Sequence, residues 1–212
     1  MRRRAPLTMA LLVVITLIWL YEAYIDAPDD SMKLAALGAI LPGTLQRGEY
    51  WRLVTGMFLH GSWLHWASNS WALYQLGTLY EILFGTRRFA IVYFVSGIVA
   101  SIASAMHLVN GPSVGASGAI FGVLGAFIFS IRRSPRYRHQ PWSRGLIAQL
   151  VFWIGINLVI GASIAVIDNV AHVGGLIAGL LLGFLPHHEP PPPPAESVID
   201  VEPRYHDHYG SE

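Results

Sequence analysis

The sequence predicts an all-α, polytopic membrane protein of six transmembrane helices, on three observations. Of 212 residues, 53% are hydrophobic and only 13% charged, about half the charged share of an ordinary soluble domain. The apolar residues gather into six runs near the length of about 20 that a hydrocarbon core demands. The Lys and Arg residues are sorted between alternate connections, as membrane topology requires.

The six runs are Leu7 to Tyr24, Leu64 to Leu83, Phe89 to Leu108, Ser117 to Ile131, Gly145 to Val166 and Asn169 to Leu185. Arg2, Arg3 and Arg4 precede the first run in the manner of a signal peptide, but only Tyr21-Glu22-Ala23-Tyr24 stands where a small-x-small cleavage site would follow. The first run therefore reads as a retained anchor. Six spans put both termini on one side. Eleven of the 14 basic residues (Arg2, Arg3, Arg4, Arg87, Arg88, Arg132, Arg133, Arg136, Arg138, Arg144 and Arg204) fall on that side, against Lys33, Arg47 and Arg52 opposite. By the positive-inside rule both termini are cytoplasmic.

Two segments are not spans. Residues 26–63 carry Leu34, Leu37, Ile40, Leu41, Trp51, Leu53, Phe58 and Leu59, which predicts short amphipathic helices in the outer interface, broken at Pro42-Gly43. Beyond Leu185 comes the run Pro190 to Pro194 and then polar and acidic residues. The expected division is a membrane domain over 1–186 and a disordered Pro-rich cytoplasmic tail over 187–212.

Composition also excludes chemistry. A formal net charge of +1 leaves no concentrated basic face for nucleic acid. With 0 Cys there is no thiolate metal site and no cysteine nucleophile, so covalent catalysis falls to Ser, Thr, Lys or a carboxylate.

Polar groups at membrane depth are expensive, and so they are functional candidates. His60, His65, Asn69, Ser117 and His172 all lie near the outer starts of spans two, four and six. Ser117, in Gly115-Ala116-Ser117-Gly118, opens a run of 15 residues. At about 1.5 Å each these reach about 22 Å, against a hydrocarbon core of about 30 Å. Pinned inside by Arg132 and Arg133, this helix starts roughly 8 Å below the outer surface by the same arithmetic. Irregular backbone at that depth needs protein or a wet cavity around it. Gly118-x-x-x-Gly122 also fits plain helix packing, as does the Gly175-Gly179-Gly183 row that follows His172. His65 and Asn69, four apart, share a face. They suit either an oxyanion or interhelical hydrogen bonding. A zinc protease would want His-Glu-x-x-His, which His60 and His65 do not supply. An aspartyl protease would want two facing acids, whereas Glu81 lies near an inner end and Asp168 near an outer one.

With these residues in hand, the chain resembles the rhomboid intramembrane serine proteases of the bacterial six-span type over roughly Leu37 to Gly183. The resemblance rests on Glu49-Tyr50-Trp51-Arg52, His60-x4-His65-x3-Asn69, Gly115-Ala116-Ser117-Gly118 and Ala171-His172-x-x-Gly175. It implies that Ser117 is the nucleophile and His172 the general base. His65 and Asn69 would form the oxyanion hole with the Ser117 N–H. His60, Gly115, Gly118, Phe121 and Gly175 would support the site, and Arg52 and Glu81 would hold the outer loop and span two. The family often has Tyr where this chain has Phe121, which keeps ring stacking and removes a hydroxyl. Asp168, one turn before His172, is placed to orient that ring as a third member, but the resemblance implies a Ser-His dyad and Asp168 then reads as a helix-start residue. The implied substrates are transmembrane proteins met in the lipid bilayer of a bacterial cytoplasmic membrane, with no metal and no organic cofactor. A rhomboid-like protein that binds transmembrane helices without cutting them is the alternative, and a small transporter with a His relay is a further one.

Overall fold

A helix in hydrocarbon satisfies its own backbone, and the computed structural model is built from helices. It describes residues 4–28, 30–108, 110–164 and 167–185, and among these every regular element is helical apart from an isolated antiparallel bridge between Ile40 and Ser113. The expected tail over 187–212 lies outside the described residues, as do Arg2, Arg3, Val166 and Arg204.

α1 (Pro6–Tyr24) begins with proline in its first turn, where the missing N–H costs nothing. The outer segment holds α2 (Ser31–Leu37), capped by Asp30 and stopped by Gly38 at φ 108°. Turns over 41–50 follow, then α3 (Arg52–Thr55) with a 3₁₀ turn over Gly56–Phe58. The break expected at Pro42-Gly43 is there, with Gly43 at φ 79°. The second run is one continuous rod of three parts: α4 (Trp63–Ala72), a π-helical turn over Leu73–Gly77, and α5 (Thr78–Phe84). α6 (Thr86–His107), α7 (Ser117–Arg133), α8 (Pro141–Ser163) and α9 (Asn169–Gly183) complete the order.

All six expected runs are helical, but they are not six equal spans. α1, α6 and α8 are long and apolar enough to cross a membrane by length and composition. α7, with 17 residues, and α9, with 15, extend only about 26 and 23 Å. α7 outlasts its expected end at Ile131 by two residues, because Arg132 and Arg133 stay in its last turn, where cations favour the helix dipole.

α7 is the axis of the bundle. Thirteen of its 17 residues are buried, and α6 and α9 enclose it. Glycine makes the enclosure tight: a Cβ at Gly175 would lie 2.0 Å from the Gly118 carbonyl oxygen, and one at Gly179 would lie 1.9 Å from that of Gly122. Such backbone contact is what small-x-x-x-small rows permit. α8 stands apart, burying only Ser143, Leu150 and Gly161.

Long-range bonds tie down each end of the bundle. At the basic end, the Glu81 carboxylate of α5 accepts the N–H groups of Leu7 and Thr8 at 3.0 and 2.8 Å and the Thr8 hydroxyl at 2.7 Å. It thus serves as a remote anionic cap for α1, whose own Ala5 offers none. Arg88 donates to Tyr80 and Ser130 and to the Leu182, Gly183 and Leu185 carbonyls, which closes the C-terminus of α9. At the other end, Ile40 and Ser113 exchange backbone bonds of 3.0 and 2.9 Å, and the first turns of α4, α7 and α9 meet there.

Candidate active site

The loop before α7 can deliver Ser117 only because residue 115 has no side chain. Gly115 sits at φ 125°, a conformation open to glycine, and a Cβ there would lie 2.6 Å from the His65 ring. Its N–H donates to the Gly56 carbonyl at 2.8 Å, so the 3₁₀ turn before α4 fixes the entry to α7.

His172 occupies the first turn of α9 and is 7% exposed. Its Nε2 lies 2.9 Å from Ser117 Oγ. Phe121, one turn into α7, stacks on the imidazole with centroids 4.2 Å apart and planes within 6°, so the phenyl supplies the ring contact without a hydroxyl. Gly118 and Gly175 touch backbone to backbone just inside the pair, and that contact sets how closely serine and histidine approach.

Asp168 belongs to the helix start. Its Oδ1 accepts the Ala171 N–H at 2.9 Å, and its Oδ2 accepts the hydroxyls of Ser104 at 2.5 Å and Ser113 at 2.8 Å. The carboxylate pins α9 to α6 and to the 113–116 loop, while His172 Nδ1 has no hydrogen-bond partner among the described residues.

α4 brings the other two candidates. Ser62 caps it by accepting the His65 N–H at 3.2 Å. Asn69 is buried and donates one amide hydrogen to the His65 carbonyl at 2.9 Å, leaving the second for another acceptor. The His65 ring lies against Gly115 and meets the His60 ring edge-on at 5.1 Å. His60 is fully buried, and its backbone N–H reaches the Glu22 carboxylate of α1 at 3.0 Å.

The two remaining candidates stand farther off. Arg52 donates to the Ala35 and Ala39 carbonyls at 2.6 and 3.0 Å and to Glu49 at 2.8 Å, which locks α2 to α3. Hydrogen bonds from Arg47 and Arg52 hold the Glu49 carboxyl below the usual carboxylate range. Glu81, on α5, lies at the opposite end of the bundle against the first turn of α1.

Sequence reasoning passed over Glu22, Ser104 and Ser113. Glu22 had a signal: it is the one carboxylate inside the first apolar run, and a charge at such a position needs a partner. Ser104 and Ser113 carried none. Among the described residues no group of three or more His, Asp or Glu side chains converges as a metal ligand set.

Comparison with known proteins identifies the family. The Rhomboid domain family model matches residues 47–189. Rhomboid protease GluP of Bacillus subtilis is 41% identical over 150 residues, 71% of this chain and 29% of that protein. RHOMBOID-like protein 7 of Arabidopsis thaliana is 36% identical over 188 residues, covering 86% of this chain and 59% of its own length. RHOMBOID-like protein 6, mitochondrial, of the same plant is 37% identical over 158 residues, 74% and 50% of the two chains. The chain thus spans between 29% and 59% of the length of these relatives. With glycine-seated Ser117 facing His172, and two thirds of its residues matched by the family model, this integral membrane protein belongs to the rhomboid family.

Proposed function

We propose that the chain is an intramembrane serine endopeptidase, hydrolysing peptide bonds in or next to the transmembrane segments of membrane proteins through a Ser117–His172 dyad. The observation that carries the reading is the 2.9 Å approach of His172 Nε2 to Ser117 Oγ, hydrogen-bond reach between a nucleophile and its base. In the tautomer with the proton on Nδ1, Nε2 accepts the serine proton as Oγ attacks the scissile carbonyl carbon. The oxyanion takes hydrogen bonds from the Ser117 N–H, the His65 ring and the free amide hydrogen of Asn69. The imidazolium then gives its proton to the leaving nitrogen, the C–N bond breaks, and water deacylates Ser117 with His172 again as base. Phe121 holds the ring plane through this cycle. Asp168 serves α9, so the base works without a third member.

A helical substrate shields its carbonyls, so the cleaved segment unwinds first, which favours small residues near the scissile bond and helix breakers beside it. It enters laterally between the outer segment and α8, the helix with the fewest buried residues among the long ones. Both termini face the cytoplasm of a bacterial cell and the dyad opens outward, with 187–212 as a separate cytoplasmic tail to the 1–186 domain. The test is labelling with a serine-directed fluorophosphonate, run beside cleavage of tagged single-span substrates. Wild type should label and cut, and Ser117→Ala should do neither. Cleavage retained in Ser117→Ala membranes free of other proteases removes the dyad. A non-cutting helix binder would leave the folded wild type unlabelled.

A further inference from the structure

At the end of α7 remote from Ser117, a cavity of about 760 Å³ opens between that helix and the first turns of α8. Its polar rim is Arg132, Arg138 and Arg144, and its wall continues through Ile147, Val151 and Phe152. All three arginines are exposed, and among the described residues none has a side-chain hydrogen bond, ion pair or ring contact. Their neighbours differ: Arg88 is bound by Tyr80, Ser130 and α9 carbonyls, and Arg133 lies over the Phe184 ring at 5.6 Å. No carboxylate is close in sequence to neutralise the rim, since residues 82–167 contain seven Arg and no Asp or Glu. Glu81, just before them, is engaged by Leu7 and Thr8. The positive end of the α8 dipole lies at the same rim, since Ser143 and Arg144 of its first turn line the groove.

The apolar half has a direction. Arg144, Ile147, Ala148 and Val151 are spaced i, i+3, i+4, i+7 and form one stripe of α8. The stripe runs from the basic rim about 10 Å toward the middle of the helix. Val151 and Phe152 on it are 53% and 63% exposed. A cationic rim that grades into an exposed apolar stripe along a membrane helix matches one molecule better than any free anion or acidic peptide. That molecule carries a phosphate at one end and a hydrocarbon chain at the other.

We propose that this groove binds one anionic phospholipid of the adjoining leaflet. Arg132, Arg138 and Arg144 take the phosphodiester, and one acyl chain lies along Ile147, Val151 and Phe152. The test uses the purified full-length chain in neutral detergent, titrated with phosphatidylglycerol, phosphatidylcholine or glycerol phosphate. Native mass spectrometry counts adducts and thermal melting reports stability. One phosphatidylglycerol should stay bound where phosphatidylcholine does not. Its half-saturating concentration should rise on the order of 10²-fold in the Arg132→Gln, Arg138→Gln, Arg144→Gln variant. In case that variant misfolds, Arg138→Gln alone, in the loop between helices, should give a rise of about 5-fold. Unchanged phosphatidylglycerol binding in either folded variant overturns the proposal. So does glycerol phosphate matching the lipid, which would make this a free-phosphate site. So does a melting shift equal to the triple variant's on neutralising Glu189, Glu196, Asp200 and Glu202 in the full chain, which would assign the groove to the chain's own acidic segment.

Discussion

The Glu22 carboxylate, fully buried in α1, accepts the backbone N–H of His60 with both oxygens, at 3.0 and 3.3 Å. An acid inside an apolar helix thereby holds the peptide that leads into α4, five residues before His65. Glu22→Gln keeps an acceptor and should leave stability and cleavage nearly unchanged. Glu22→Leu orphans a buried N–H and should cost about 1–3 kcal/mol. Reversible unfolding in mixed micelles measures both, and equal losses for the two variants would refute a hydrogen-bonding role.

The α7–α9 contact makes a second expectation. A methyl group at Gly179 would meet the Gly122 carbonyl at 1.9 Å, whereas one at Gly145 has nothing within 4 Å. Gly179→Ala should therefore destabilise by about 1–3 kcal/mol through overpacking, and Gly145→Ala should be neutral or slightly stabilising from helix propensity. The same unfolding measurement on the pair decides it.

For the proposed dyad, Ser117→Ala and His172→Ala should each lower turnover by roughly 10⁴-fold or more, and the double variant should be little worse than either single one. Multiplicative losses in a kcat/KM comparison would mean that the two side chains act separately.

Asn69→Ala should reduce turnover by on the order of 10²- to 10³-fold while folding is retained. Its resting bond to the His65 carbonyl is local to α4, so little tertiary structure depends on it. EDTA should leave cleavage unaffected. Inhibition by EDTA that zinc reverses would recast the His60–His65 pair as metal ligands.

Topology is open to cysteine labelling, since the chain has no Cys of its own. Asn110, just before the Ser117 loop, and His139, between α7 and α8, are both exposed. In intact cells a membrane-impermeant thiol reagent should modify Asn110→Cys, and it should modify His139→Cys only after permeabilisation. The opposite pattern would turn the dyad toward the cytoplasm.

These expectations mark where the sequence was informative. Apolar runs located all six helices, because hydrocarbon length and backbone satisfaction leave few other ways to use them. Ser117 and His172 were legible through their glycines, which have little reason to cluster around a polar residue in a span unless backbones meet there. Arg88 and Arg132 were not told apart. Counting charges treats them alike, whereas one is locked to α5, α7 and α9 and the other lines a groove with no side-chain partner among the described residues. Asp168 was legible as a cap, but its bonds to Ser104 and Ser113 depend on α6 and the loop before Ala116 arriving together, which no local pattern encodes. The division of the second run into α4, π turn and α5 had no signature either, since Leu73–Gly77 suits an ordinary helix in composition.

The π turn over Leu73–Gly77 sets the phase between the two ends of the rod. Asn69 and Glu81 are twelve residues apart, and in an unbroken α-helix, at about 100° per residue, they would point about 120° away from each other. A single wide turn absorbs about one residue's rotation, which leaves the two nearly in phase, about 20° apart by the same arithmetic. Both are buried, one bonded to the His65 carbonyl within α4 and the other against the first turn of α1. The rod can thus serve two neighbours at different depths without choosing between them. The π turn thus lies between the residue that caps α1 and the buried amide of α4.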